Sequence, residues 1–208
     1  MSQINWRKNV QDAAKEIAGG SRLMLLFFHQ PEELGSIKSF EECFTNDDVI
    51  KTIERETAPV MINVSESKDI AEKYCVEWTP TVVLADEKGE ELERWIGYLP
   101  AEDFIPQLML STALSDFHLG RLNEAVAELE QLIDTYPHSE CVPEAEYFLG
   151  VSKFKQNGDM AALADVCSTL NEKYPDSLWA KKGSIWAHLT RKAFIPFSEG
   201  TSLGGGQY

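Results

Sequence analysis

Trp78-Thr79-Pro80-Thr81-Val82-Val83-Leu84-Ala85 sets a proline directly ahead of a β-branched, apolar run, which predicts a buried strand entered through a turn that contains Val76. Asp86-Glu87-Lys88-Gly89 follows, and Leu92, Trp95 and Ile96 mark a second extended stretch, so the pair reads as a hairpin with glycine at its turn. Upstream, Leu23 to Phe28 is a continuous apolar run of the length and aromatic content of a central strand buried on both faces. Pro59 to Val64 reads as another strand. Between these runs the spacing predicts helices over Trp6–Ala18, stopped by Gly19-Gly20, and over Ser36–Phe44 on Ile37, Phe40 and Phe44. Two more are predicted over Asp48–Glu56, capped from Thr45-Asn46-Asp47, and over Ser67–Tyr74. From Ala101 to about Lys192 the periodicity is helical throughout, so strands occupy the first half and helices the second.

This element order resembles the thioredoxin arrangement, and Trp78-Thr79-Pro80-Thr81 resembles its cis-proline loop. The resemblance implies a cis bond before Pro80, cis peptides being nearly confined to proline. It also implies a preceding residue whose backbone groups face an extended peptide. Phe40-Glu41-Glu42-Cys43-Phe44-Thr45-Asn46-Asp47-Asp48-Val49 looks like the stretch that follows the active-site helix start in one thioredoxin-like subfamily. Gly97-Tyr98-Leu99-Pro100-Ala101-Glu102-Asp103-Phe104 matches that subfamily's entry into its final helix. The likeness covers roughly residues 5 to 112.

Carried back from Phe44, the family's register places its redox pair at Glu33 and Ser36, or one residue later if the loop is shorter. Neither is cysteine. Thiol–disulfide exchange needs two thiols one helical turn apart at a helix N-terminus, where the dipole favours the attacking thiolate and the second thiol resolves the mixed disulfide. Cys43 and Cys75 remain as lone thiol candidates for a single-cysteine oxidoreductase or isomerase; Cys43 is expected two turns into its helix and Cys75 in the turn before the proline loop. His29, Trp78, Thr79 and Pro80 are the residues expected to line a peptide-binding surface, although a tryptophan is as readily core and a lone histidine is more often a satisfied surface residue.

A second resemblance begins near Ala113. Gly120 and Gly158 recur at the same interval as Tyr136-Pro137-x-Ser139 and Tyr174-Pro175-x-Ser177, which marks an internal repeat. Ala113, Gly120, Ala125, Leu129, Leu132 and Pro137 fall close to the small and large positions of the tetratricopeptide pattern; the copy over Glu144–Pro175 is the weaker match. The expected architecture is α/β then all-α: a thioredoxin-like sandwich with a central mixed sheet over residues 1–112, tetratricopeptide-like antiparallel hairpins with a capping helix over 113–192, and a tail over 193–208.

A formal net charge of −15 opposes general binding to nucleic acid or anionic membrane. No apolar run is long enough to cross a bilayer, and the opening residues lack the basic and apolar regions of an export signal, so a cytoplasmic chain is expected. The four cysteines have neither Cys-x-x-Cys nor zinc-ligand spacing, and no cofactor is implied. The function expected is a redox-inactive adaptor or chaperone-like module that binds a protein or peptide. A single-cysteine oxidoreductase or isomerase and a self-associating structural subunit are the alternatives.

Overall fold

The computed structural model describes residues 3–189. The tail expected over 193–208, and the end of the expected helical unit, lie outside them. Strand β1 (Leu23–His29) is buried along its whole length, because it is flanked by a strand on each side and covered on both faces. It pairs in parallel with β2 (Thr57–Asn63), from Leu23 beside Thr57 to His29 beside Asn63. It pairs antiparallel with β3 (Thr81–Ala85), whose other neighbour is the antiparallel β4 (Glu91–Ile96). The order β2-β1-β3-β4 gives a mixed sheet. Because side chains alternate across a strand, Leu23, Leu25 and Phe27 feed one core layer with Val82 and Leu84, while Met24, Leu26 and Phe28 feed the other with Val60 and Val83.

Helices cover both faces. α1 (Val10–Ile17) begins four residues later than the predicted Trp6. Asn9 stops it by capping Asp12 N–H at 2.8 Å, and Arg7 is drawn into an extended bridge beside Val60. The helix predicted over Ser36–Phe44 divides into α2 (Leu34–Lys38) and a π-helical turn (Ser39–Cys43). There the Ser39 hydroxyl donates to Gly35 O at 2.8 Å, and Phe44 N–H donates to Ser39 O, five residues back. The extra residue lets Cys43 and Phe44 both enter the core. α3 (Asp47–Glu56), capped by Asn46, and α4 (Lys68–Lys73) complete this half.

α5 (Ala101–His118) is shared. Phe104 and Leu108 pack into the sheet's core, and one to two turns later Leu110, Ala113 and Leu114 pack with Leu129 and Leu132 of α6 (Leu122–Thr135), so the expected change of unit near residue 112 falls inside one continuous helix. α7 (Val142–Asn157), α8 (Met160–Lys173) and α9 (Leu178–Gly183) follow, each packed on the helix before it. A 3₁₀ turn, Ser184–Trp186, closes the described part. Gly120 and Gly158 hold matching left-handed turns, with φ of 76° and 73°, at the ends of α5 and α7. The repeat seen in the sequence is therefore a repeat of helix ends.

Candidate functional site

Three chain segments meet at one end of the sheet: the exit of β1, the exit of β2 and the entry to β3. The register brings them together, since Phe28 pairs with Thr81 and Val64 N–H extends the ladder by donating to His29 O at 3.0 Å. The Thr79–Pro80 bond is cis, and Pro80 O accepts from Gly97 N–H at 2.8 Å. A groove of about 250 Å³ opens there between Gln30, Glu33, Val64, Val76, Trp78 and Thr79. Such clefts at the carboxyl ends of parallel strands are where open α/β sheets take ligands.

Glu33 defines the groove's chemistry. Its carboxylate caps α2, accepting from Gly35 N–H at 2.8 Å, Ser36 N–H at 2.9 Å and the Ser36 hydroxyl at 3.1 Å. Partial burial pushes its pKa up, but these bonds outweigh that and hold it below the ordinary 4.5. Ser36 is fully buried, and its oxygen also accepts from Gln30 N–H at 3.2 Å. The pair singled out in the sequence is thus one bonded unit, in which a fixed carboxylate occupies the amide groups that would otherwise receive an anion. Gly35 lets this unit approach the proline loop, because a Cβ there would stand 2.7 Å from Pro80 Cδ.

Trp78 and Leu34 are each 67% exposed, and both apolar side chains belong to segments that form the groove. Thr79 is buried, while the neighbouring Thr81 hydroxyl donates to Trp78 O at 2.8 Å and fixes the loop. His29 is not on the surface: its ring stacks on Phe27 and meets Phe40 edge to face at 5.2 Å, with Nδ1 lacking a partner among the described residues. Burial lowers its pKa against the opposing pull of Glu66. Leu34, Gln30, Val64 and Gly35 were not singled out in the sequence. Leu34 and Gly35 had a signal, since they lie between Glu33 and Ser36; Gln30 and Val64 are joined to the site only by strand register.

The thiols are dispersed. Cys43 is buried in the core, and burial pushes its pKa up to about 12. Cys75 is exposed in a left-handed turn with φ of 49°, beside Arg94, which donates to Tyr74 O at 2.7 Å. Cys141 is half buried and Cys167 buried, and all four are free. No described helix is long and apolar enough to cross a membrane. Among the described residues no group of His, Cys, Asp and Glu is arranged to hold a metal ion.

The mixed sheet, the cis bond at its edge and the capped helix beside it define a thioredoxin-like domain followed by a helical region. Comparison with known proteins gives the same result for the first half: residues 10–110 match the family described as the thioredoxin-like domain. Among solved structures, the DsbH oxidoreductase is similar at 13% identity over 53% of this chain and 85% of that one, with a TM-score of 0.45. A thioredoxin from Thermus thermophilus is similar at 20% identity over 51% and 85%, also with a TM-score of 0.45. The C-terminal domain of DsbD from Neisseria meningitidis is 18% identical over 48% and 86%, with a TM-score of 0.41. No curated protein matches the chain.

Proposed function

We propose that the chain is a protein-binding adaptor or chaperone-like module whose thioredoxin-like groove holds an extended peptide without exchanging electrons with it. The observation that carries this reading is the Glu33 cap: the amides of Gly35 and Ser36 are engaged by a carboxylate, and a carboxylate with a hydroxyl cannot form a mixed disulfide. Thr79, held by the cis bond to Pro80, offers its backbone groups at the groove's edge, while Leu34 and Trp78 supply apolar contact area. The helical region extends the binding surface as tetratricopeptide-like hairpins, a reading supported by the matched glycine turns and the consecutive packing of α5 to α8. Four free thiols suit a reducing cytoplasm.

A second reading, single-thiol chemistry at Cys75, is favoured by that residue's exposure in a left-handed turn a few residues before the proline loop. One set of measurements separates the two. Extended synthetic peptides are titrated against the full chain, and insulin reduction is followed in parallel. Adaptor function predicts affinity that falls about tenfold in Trp78→Ala, stays unchanged in Cys75→Ser, and accompanies no insulin turnover above buffer. Turnover that disappears in Cys75→Ser would overturn the adaptor reading in favour of the second.

A further inference from the structure

The groove beside Pro80 has a charge pattern as well as a shape. Besides the apolar Val64, Val76 and Trp78 it is lined by two carboxylates, Glu33 and Glu77, and among the described residues by no lysine or arginine. Glu33 is held in its ionised form by the amides it caps, and Glu77 is exposed. Two further carboxylates flank the groove. Glu32 precedes Glu33, and Glu66 lies two residues beyond Val64, where its charge acts on His29 at the end of β1. None of these four forms an ion pair among the described residues, whereas Glu42, Asp48 and Glu91 are paired with Lys38, Lys51 and Arg94. Lys68, the first residue of α4, is exposed and pairs with none of the four.

An extended segment laid along Thr79 displaces water from Glu33 and Glu77. If that segment is neutral, the two charges lose solvation with nothing in return, and if it is acidic, like charges are brought together at a further cost. Lysine or arginine side chains offset the carboxylates instead, and a guanidinium can also stack on the exposed Trp78 ring. Aliphatic side chains are needed as well, to cover Val64 and Val76. We infer that the groove selects extended peptide segments that combine aliphatic residues with lysine or arginine, and rejects acidic ones. The inference rests on the proposed peptide-binding role of this groove and adds its specificity.

A chain of net charge −15 attracts any cation, so the test must separate the groove's own charge from the total. Three labelled peptides, identical in their valines and differing only in carrying arginine, glutamine or glutamate between them, are titrated against the full chain by fluorescence anisotropy. The arginine peptide is expected to bind about tenfold more tightly than the glutamine peptide, and the glutamate peptide more weakly still, with the gap closing as salt is raised. Glu66→Lys with Glu77→Lys inverts the order of the arginine and glutamate peptides, a gain of binding that a damaged fold would not give. Glu172→Lys with Asp176→Lys, the same change of charge on exposed residues at the end of α8, leaves the order as it was.

Equal affinity for the three peptides, lost together in Trp78→Ala, would overturn the charge selection while leaving the peptide-binding role standing. A preference that shifts equally in the two double variants would overturn it in favour of total charge. Failure of all three peptides to bind would overturn the selection and the peptide-binding role together.

Discussion

Glu33 is the residue at which helix formation and function meet. A helix start leaves backbone N–H groups without partners, and the Glu33 carboxylate satisfies those of Gly35 and Ser36 while also fixing the Ser36 hydroxyl. Because these bonds favour the ionised form, its folded pKa lies below the ordinary 4.5. A depressed carboxyl pKa contributes stability that is fully present above the unfolded value and lost as pH falls through the folded one. Glu33→Ala is therefore expected to cost about 1 kcal/mol at neutral pH, in line with other lost caps, and the deficit closes as the pH falls below that carboxylate range. Urea midpoints of both proteins across that range check it: a deficit that does not shrink with acid would mean the cap acts through packing alone. His29 teaches the reverse lesson. It follows an apolar strand and precedes a polar turn, so its side chain reads equally well as surface or core, and only the aromatic neighbours Phe27 and Phe40, one of them from the π-helical turn, decide for burial.

Among the elements, the close contact of α7 with α8 depends on one missing side chain. A Cβ at Gly150 would lie 2.1 Å from Val166 Cγ2 and 3.1 Å from Ala162 O, so the helices approach there to a distance that only glycine permits. Gly150→Ala is expected to lower stability by about 1–3 kcal/mol through overpacking, and Val166→Ala placed beside it recovers part of that loss although Val166→Ala alone opens a void. Chemical denaturation of the two single variants and the double variant checks this; additive losses would show that the two helices give way independently. The same reasoning explains which elements were legible beforehand. β1 and β3 were, because strands covered on both faces are near-continuously apolar, and these are so apart from His29 and Thr81 at the groove end. The recurrence of Gly120 and Gly158 was, because the interval repeats, but their positive-φ turns were not, since spacing alone does not tell a helix-end glycine from one at a close helix contact. The π-helical turn was not, since Ile37, Phe40 and Phe44 fit an ordinary helical stripe and the shift comes from local bonding at Ser39. Of the candidate site, Pro80, Trp78, Glu33 and Ser36 could be placed from chain order, whereas the groove between them requires the pairing of β1 with both neighbours.

For the molecule as a whole, the question is how a sheet domain and a helical region are held together, and α5 answers only half of it. The other half is a cluster of ionisable groups where α3, α5 and α6 meet around a small cavity lined by Glu56, Met109, Thr112 and Glu128. Buried Asp116 is paired with Arg121, and Arg55 is paired with Glu56, which leaves Glu128 facing Asp116, Glu56 and Glu124 with Arg121 alone to offset them among the described residues. One Glu128 oxygen is buried without a hydrogen-bond partner among the described residues. Burial, and then repulsion from Asp116 and Glu56, pushes this carboxyl up to about 8. Here the sign is opposite to that at Glu33: the folded pKa is raised above the unfolded one, so the group's contribution is fully present below 4.5 and is lost as pH rises through about 8. Glu128→Gln keeps the shape and removes the titration. It is expected to be more stable than the wild type above pH 8, by an amount on the order of 2 kcal/mol, with the gap narrowing toward acid. Denaturation midpoints measured against pH decide it, and an equal pH slope in the two proteins would place the strain at the junction elsewhere. Since the cluster joins α3 of the sheet domain to α6 of the helical region, the variant should also unfold the two halves more nearly together at alkaline pH, which separate fluorescence and far-UV circular dichroism transitions would reveal as converging midpoints.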